Sequence, residues 1–427
     1  MKKVMLKTTL SLAVAMASSQ LFASGFALNE QSVSGMGTGF AGRSSSADDA
    51  STVYGNPAGM ARLNGQQITG GVAAIDASTD IKDASGRPSG SNKGDMVPFT
   101  AVPFGFYTNK LNDQWAIGFG VYAPFGLVTD YENGFQGRGF GSKSEVKVMT
   151  FQPTVSYAFN DKVSIGFGPT INRISGVLES DKTLVIGAPF SDTNVKIKGD
   201  DTALGFNVGV LVQATDTTRV GLTYHSKVNY KLEGHTTVSG PAQTQGALRN
   251  NRYDASLKIE TPESYDLSVT QDLTDAWKVY GGATWTRWSR LKEITVNNEG
   301  VTGTNGGALA PSRIANITEE QNWHDTWAYA VGTSYQLTKQ VVLRTGLTFD
   351  QSPTNNTDRS PRIPTGDRTI FSVGLGYKVM DNMTVDLAYS YLKEEDVKVN
   401  NTSLPSNYSA KYENRANGFG LGMTYTF

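Results

Sequence analysis

The sequence predicts an all-β fold, an up-and-down antiparallel transmembrane β-barrel of about 14 strands. Three observations support this prediction. Apolar residues occupy every second position through a long series of segments, and short turns alternate with long polar loops between those segments. The last segment, residues 419–427, keeps an apolar stripe up to Phe427. Alternation with a period of two gives each strand one apolar face and one face that can meet water.

The first element is an N-terminal export signal, predicted over residues 1–23. Three lysines lie within residues 1–7, a short apolar run follows over 8–17, and small residues fill 18–23. The apolar run is well short of the roughly 20 residues that a membrane-spanning helix needs. We therefore expect export and cleavage after Ala23.

Residues 24–65 form the second element, which is predicted to be a hatch, or plug, inside the barrel. This stretch is rich in Gly, Ser, Ala and Asp and shows no sustained alternation. A barrel of about 14 strands is too wide for its own side chains to fill, so it holds water or a plug. A disordered leader is the alternative interpretation of the same composition.

The barrel wall is predicted over residues 66–427. Its 14 alternating segments are 66–79, 97–110, 113–123, 143–160, 161–177, 201–214, 217–233, 252–271, 274–295, 322–337, 340–351, 367–379, 382–398 and 410–427. A soluble β-sandwich is the alternative, but its strands usually have about 5 to 6 residues and each apolar face needs a partner sheet. We expect the last strand to pair with the first, its Gly420 and Gly422 turning inward to leave room for the plug.

The connections predict the orientation of the barrel. Short turns lie near residues 112, 160, 216, 274, 338 and 381, and a long polar loop lies between each pair of them and at both ends of the series. An outer-membrane barrel with an even number of strands has short periplasmic turns and long extracellular loops. Both termini are therefore predicted to lie on the periplasmic side.

Composition excludes several kinds of function. The chain has no cysteine, three scattered histidines and a formal net charge of -1. We therefore expect no metal, no cofactor and no nucleic-acid partner. A hydrolase is not expected either, because His225 and Ser226 are neighbours on a predicted strand and would point to opposite faces.

Several motifs give the chain a family resemblance. They are Gly25-Phe26-Ala27-Leu28-Asn29-Glu30, Ala47-Asp48-Asp49-Ala50, Asn56-Pro57-Ala58, Tyr122-Ala123-Pro124-Phe125-Gly126-Leu127, Trp285-Thr286-Arg287-Trp288-Ser289 and Pro361-Arg362-Ile363-Pro364. Their order and spacing resemble the FadL family of outer-membrane transporters for long-chain fatty acids and, in its TodX branch, aromatic hydrocarbons. The resemblance implies a 14-stranded barrel with an N-terminal hatch that contains Asn56, Pro57 and Ala58. The end of the chain also resembles the C-terminal strand that the barrel assembly machinery recognises.

The resemblance further implies an inward kink in the third strand, through which ligand leaves sideways into the membrane. The matching residues are Val121, Ala123, Pro124, Phe125 and Gly126. Proline cannot donate to a strand ladder and glycine weakens pairing, which gives a physical reason for a gap here. A strand that simply ends in a Pro-Gly turn is the alternative.

The sequence offers few candidate ligand-binding residues. The apolar run with Leu184, Val185, Ile186 and Phe190 lies in a polar loop and is predicted to be an outer docking surface, since exposed apolar patches usually have a use. An unrecognised strand segment is the alternative. Two cations, Arg173 and Lys292, lie near cationic positions of the family and are candidates for a carboxylate. Both could instead bind lipopolysaccharide phosphate or extend from the wall to the membrane interface.

The predicted function is passive uptake of long-chain fatty acids through the outer membrane by a monomer. The expected partners are the fatty acid or another hydrophobic small molecule, outer-membrane lipid with lipopolysaccharide, and the barrel assembly machinery. A TodX-like transporter of monoaromatic hydrocarbons and a general diffusion porin remain as alternatives.

Overall fold

The computed structural model describes residues 25–184, 192–302 and 310–427. The predicted signal over residues 1–23 lies outside this part. In chain order the described strands are β1 (Gln66–Arg87), β2 (Thr100–Lys110), β3 (Trp115–Asp130), β4 (Lys143–Ala158), β5 (Val163–Thr183), β6 (Asp192–Gln213), β7 (Thr218–His225), β8 (Val228–Ser239), β9 (Arg252–Thr261), β10 (Ser264–Asp272), β11 (Trp277–Thr286), β12 (Glu293–Asn298), β13 (Asn316–Glu320), β14 (Thr326–Gln336), β15 (Val341–Asp350), β16 (Arg368–Met380), β17 (Met383–Glu394), β18 (Val397–Ser403) and β19 (Ser406–Thr426). The short helices are α1 (Val33–Gly37), α2 (Thr52–Gly55), α3 (Pro241–Thr244) and α4 (Ala310–Ala315), with 3₁₀ turns at Pro57–Arg62 and Trp288–Arg290.

The strands close into one antiparallel ring of 14 positions, as predicted. The ring runs β1-β2-β3-β4-β5-β6-β7-β10-β11-β14-β15-β16-β17-β19 and returns to β1. The remaining strands β8, β9, β12, β13 and β18 continue wall strands beyond short breaks. The predicted pairing of the last strand with the first is confirmed, from Gln67 opposite Thr426 to Arg87 opposite Asn407.

Several wall strands are longer than predicted. β1 continues to Arg87, and β5 and β6 pair as far as Thr183 opposite Asp192, so parts of the predicted loops are strand. Apolar alternation appears only where one strand face meets lipid. Beyond the bilayer both faces meet polar surroundings, and the sequence loses the signal although the ladder continues.

The apolar stripes face outward. On β19 the side chains of Phe419, Leu421 and Met423 are about half exposed, whereas Gly420 and Gly422 between them face residues 33 and 36. In the described ranges, no helix is both long enough and apolar enough to cross a membrane.

Short turns at one end of the barrel are held by asparagine side chains. Asn112 Oδ1 accepts hydrogen bonds from the backbone N–H groups of Gln114 and Trp115, at 2.9 and 2.8 Å. Asn160 Oδ1 does the same for Lys162 and Val163, both at 2.9 Å. These bonds explain why the Asn-Asp pairs predicted two of the turns correctly.

The N-terminal segment, residues 25–65, winds around the inside of the ring. It starts helix α1 with the Ser32 hydroxyl, which accepts a hydrogen bond from the Gly35 N–H at 3.1 Å. Its residues then contact wall strands where those strands carry glycine. The contacts are Val33 against Gly422, Met36 against Gly418 and Gly420, Gly37 against Gly374, Thr38 against Gly346 and Gly332, Ala41 against Gly282, Ser44 against Gly221, Asn56 against Gly209, and Pro57 against Gly166. The expected inward position of Gly420 and Gly422 is thus confirmed, and seven further wall strands use glycine in the same way.

Strand β3 does not end at its Pro-Gly sequence, contrary to the predicted boundary at residue 123. It continues to Asp130, but Tyr122 pairs with Thr150 while Phe125 pairs with Val148. Three steps of β3 therefore match two of β4, which is a β-bulge of one extra residue. The extra residue reverses which side chains face the lumen, so Phe125 and Leu127 pack in the interior although Phe119 is on the outside.

Candidate functional site

A central cavity lies inside the ring between the N-terminal segment and the wall. It encloses about 1170 Å³ of space free of protein atoms, part of it open to solvent. Leu28, Phe40 and Tyr54 of the N-terminal segment form one side, and Pro124 and Phe125 of β3 form another. The lining also includes many small and hydroxyl-bearing residues from β4 to β16, so the cavity is amphipathic rather than purely apolar.

A buried hydrogen-bond network fixes one wall of this cavity. The Tyr122 hydroxyl and the Asn207 amide both donate to Gln152 Oε1, the second at 2.6 Å. The Gln152 amide in turn donates to the backbone carbonyl of Val53 at 2.8 Å. The network therefore ties three wall strands to the N-terminal segment. The Tyr54 ring packs on this wall, 4.9 Å from the ring centroid of Tyr122.

The central cavity reaches the wall at a place where two strands are not paired. β2 and β3 pair only up to Gly105 opposite Val121, whereas β2 continues alongside β1 to Thr100. Beyond Val121, the edge of β3 pairs instead with residues 26–28, which we call the N-terminal strap. The Leu28 N–H donates to the Pro124 carbonyl at 2.8 Å, and the Gly126 N–H donates to the Phe26 carbonyl at 2.9 Å. The strap thus satisfies peptide groups that the missing β2 pairing leaves free.

Aromatic contacts hold the strap in place. The Phe26 ring lies 4.9 Å from Trp288, 5.7 Å from Phe125 and 6.0 Å from Trp323. Trp288 is completely buried, and both tryptophan rings close around Gly25, which has a positive φ of 65°. A side chain at position 25 would overlap Trp323, so the glycine is required by this packing.

A second cavity, which we call the outer apolar cavity, lies farther along the barrel. It holds about 560 Å³ of space free of protein atoms, part of it open to solvent, and is lined by Val146, Ile174, Leu232, Leu257, Ile259 and Ile294, among others. Along β8, Val228 and Tyr230 line the central cavity and Leu232 lines the outer one. The two cavities are therefore neighbours along the same strand, and the outer one is the more apolar.

The Asn56-Pro57-Ala58 motif lies where the N-terminal segment meets β5 and β6. Asn56 Oδ1 accepts a hydrogen bond from the Ala58 N–H at 3.0 Å and so caps the 3₁₀ turn that Pro57 begins. The Asn56 amide donates to the carbonyls of Ser44 at 2.7 Å and Val210 at 3.0 Å. One side chain therefore fixes the turn, a neighbouring stretch of the segment and the barrel wall.

Replacing Asn56 by alanine is expected to loosen the N-terminal segment. The change removes three hydrogen bonds and leaves buried partners unpaired, at about 1–3 kcal/mol for each buried group. Limited proteolysis of the folded barrel should then cut within residues 25–65 faster than in the parent. The exposed Asn229 on β8 provides the control. If Asn56→Ala is cut no faster than Asn229→Ala, Asn56 does not hold the segment.

The structure separates the candidate cations from the cavities. Arg173 lies on the outward face of β5 with the exposed Ile171, and it pairs with Asp200 at 2.5 Å. Lys292 is exposed just before β12 and lines neither cavity. Neither residue lines the central cavity, because strand alternation points Arg173 to the outward face and Lys292 follows the break after β11.

The predicted outer docking run is only partly described. Val185, Ile186 and Phe190 lie outside the described residues. Leu184 is fully buried in a cluster with Val195 and Val238, so it does not contribute to an exposed surface. Of the β3 residues, Pro124 and Phe125 line the central cavity, Ala123 is buried beneath the strap, and Val121 and Gly126 lie on either side of the bulge.

His225 and Ser226 do not point to opposite faces of one strand, contrary to the expectation from the sequence. Strand β7 ends at His225, so the alternation does not continue, and both residues line the central cavity. The Ser226 hydroxyl accepts a hydrogen bond from the Phe206 N–H at 2.8 Å and acts as part of the wall.

Arg43 was not among the residues predicted from the sequence. Arg43 is the only Lys or Arg between residues 24 and 61, and it lines the central cavity from the N-terminal segment. Its rarity in a segment predicted to occupy the lumen was a signal that could have identified it.

Burial raises the pKa of the neighbouring Glu30 carboxyl and that of the Tyr54 hydroxyl above their usual values.

Comparison with protein families gives one match over nearly the whole chain. The family model described as "Outer membrane protein transport protein (OMPP1/FadL/TodX)" matches residues 14–427. An Escherichia coli protein called long-chain fatty acid transport protein is 28% identical over 461 residues, covering 100% of this chain and 99% of its own length. Outer membrane protein P1 of Haemophilus influenzae is 29% identical, covering 99% of each chain.

Solved structures of other proteins also resemble this chain. A crystal structure of a Pseudomonas aeruginosa FadL homologue superposes with a TM-score of 0.83 at 25% identity, covering 94% of this chain and 99% of that chain. The Ralstonia pickettii toluene transporter TbuX superposes with a TM-score of 0.66 at 18% identity, covering 88% and 94%. The second likeness concerns the fold alone.

Proposed function

The chain belongs to the OMPP1/FadL/TodX family of outer membrane transport proteins, and from this premise we propose that it takes up long-chain fatty acids. As a member of that family it is a transporter of hydrophobic molecules in the outer membrane, and not an enzyme. We propose that the substrate enters the outer apolar cavity, passes to the central cavity and leaves sideways between β2 and β3.

The observation that carries the proposal is the arrangement of the two cavities along β8 together with the edge of β3 that β2 leaves to the strap. Burying each methylene of an acyl chain is worth about 0.8 kcal/mol, so the outer apolar cavity favours capture of a long tail. Next along β8 comes the central cavity, which offers hydroxyl groups as well as aromatic rings. The outer apolar cavity therefore suits the tail of an amphipathic ligand, and the central cavity suits its polar head.

The proposed exit follows from the β3 bulge. Because β2 pairs with β3 only up to Val121, the wall beyond that point is closed by the strap and its apolar contacts instead of by a continuous ladder. The strap's backbone hydrogen bonds are replaceable by water or by a shifted segment at modest net cost, about 1 kcal/mol each. We propose that displacement of the strap opens the path into the membrane, and that residues 24–65 act as the hatch.

Uptake by a deletion strain tests the proposal. Cells that lack this protein should lose growth on oleate as sole carbon source and saturable uptake of labelled oleate, and a plasmid copy should restore both. Loss of growth on toluene with normal growth on oleate would instead assign the monoaromatic branch. A large steady ionic current through the purified protein would contradict a plugged transporter and favour a general porin.

A further inference from the structure

We propose that Lys393 and Arg415, on the outer face of the barrel wall, bind the phosphate groups of lipopolysaccharide in the outer leaflet. We call these two residues the lower cation pair. They lie on β17 and β19 and line neither cavity. The site is therefore separate from the transport path, and it does not depend on which hydrophobic molecule the protein carries.

The lower cation pair lies at the extracellular border of the lipid-facing surface. On β17, Tyr391 is 40% exposed on the outer face, and the next residue on that face is Lys393. On β19, Phe419 is about half exposed and packs against Tyr389 with ring centroids 5.4 Å apart. Arg415 follows four residues farther toward the extracellular side. Aromatic girdles mark the two interfaces of a membrane barrel, so lipid headgroups lie beside these two cations.

The two cations face each other and have little acidic company. Lys393 and Arg415 are directly opposite on neighbouring strands, an arrangement in which like charges repel unless an anion lies between them. Within the described ranges, Lys393 makes no ion pair at 4.0 Å or less. Arg415 Nη2 lies 3.6 Å from Asp80 Oδ2, and both side chains are about half exposed, so this pair is weak. Both cations are therefore available to a phosphate oxygen.

Two acids farther along the same face are neutralised by lysines. Glu413 accepts hydrogen bonds from Lys82 at 2.7 Å and from Lys411 at 2.8 Å. Asp396 pairs with Lys411 at 2.7 Å. These two carboxylates are thus occupied by lysines beyond the lower cation pair, and they leave its positive charge in place.

A second group of cations lies farther out, and it favours lipopolysaccharide over a phospholipid. Lys82, Lys411 and Lys398 are directly opposite one another on β1, β19 and β18, and we call them the upper lysine row. Arg415 and Lys411 are four residues apart. This spacing is about 13 Å along a strand that rises roughly 3.3 Å per residue. Lipopolysaccharide carries phosphates on lipid A and acidic core sugars above them, whereas a glycerophospholipid has a single phosphate level. Two levels of cations therefore match two levels of anions.

Lipid binding by the purified full-length protein tests the site. Native mass spectrometry follows titration with bisphosphorylated lipid A and with lipid A that carries its two acidic core sugars. Lys393→Gln/Arg415→Gln should bind both lipids roughly 5- to 30-fold more weakly, since each cation near a membrane surface contributes a factor of about five. Lys398→Gln should weaken only the lipid with core sugars, by about fivefold. Lys162→Gln/Lys339→Gln is the control, because it removes two exposed positive charges from the short turns at the opposite end.

Three results would overturn the proposal. The first is equal binding of lipid A by the parent and by Lys393→Gln/Arg415→Gln that migrates as a folded, heat-modifiable barrel. The second is an equal loss of binding in the control variant. The third is displacement of lipid A by phosphatidylglycerol as effectively as by lipid A itself, which would assign the cations to anionic lipids in general. Oleate uptake by the same variants reports separately on the proposed function and should equal that of the parent.

Discussion

Replacing Ala123 by arginine is expected to abolish oleate uptake while the barrel still assembles. Ala123 is 1% exposed and lies at the point where β3 leaves β2, in an apolar cluster with Leu28, Ile75 and Val102. An arginine side chain there would occupy the proposed exit with a charge. Moving an unpaired charge out of water costs far more free energy than burial of the aliphatic part of the arginine side chain returns. An acyl chain that passed beside this side chain would displace its water and impose that cost.

The measurement is saturable uptake of labelled oleate by a deletion strain that carries the variant. Heat-modifiable migration of the protein in electrophoresis reports whether the barrel has folded. Ala214→Arg, at an exposed position just beyond β6, introduces the same side chain without touching the β2–β3 seam. Normal uptake by folded Ala123→Arg would exclude the exit between β2 and β3, whereas equal loss in Ala214→Arg would mean that the added charge acts through assembly.

Replacing Gly282 by valine is expected to displace the N-terminal segment and open the lumen to ions. An added Cβ at Gly282 would lie 2.5 Å from the Ala41 carbonyl oxygen, which belongs to the backbone and cannot rotate away. Overpacking of this kind costs about 1–3 kcal/mol when neighbours can shift. Since the same segment meets glycine on eight wall strands, a shift at one contact disturbs the next.

The neighbouring residue provides a matched control. A Cβ at Gly281 meets no heavy atom within 4 Å, so Gly281→Val adds the same side chain to the same strand on the opposite face. Single-channel recording of both variants in planar bilayers should show a larger conductance for Gly282→Val alone. If the two variants conduct equally, the glycine contacts do not determine how the lumen is sealed.

The predicted strand number is confirmed because lipid imposes a local requirement. Each wall strand must present apolar side chains at every second position, and that pattern is present within a single segment such as 419–427. The predicted boundaries were less accurate where this requirement ends. The bulge at Pro124 illustrates the limit, since proline and glycine indicated a weak ladder but gave no sign that the strand continues with its faces reversed.

The candidate ligand residues were harder to predict. Arg173 and Lys292 were selected by resemblance, whereas alternation along β5 and the break before β12 turn them outward. Arg43 is the only Lys or Arg between residues 24 and 61, but that rarity alone does not show which way its side chain faces. Its position depends on the path of the N-terminal segment around the inside of the wall.

The sequence by itself determined the outer-membrane location, the closed antiparallel topology, the alternation of short turns with long connections, and the family. Each of these follows from patterns within a segment or from their order along the chain. Only the tertiary structure decided that the strap pairs with β3, that Trp288 and Trp323 enclose Gly25, and that Arg43 faces the central cavity. These contacts join residues about a hundred to three hundred positions apart, so they exist only once the wall has closed around the N-terminal segment.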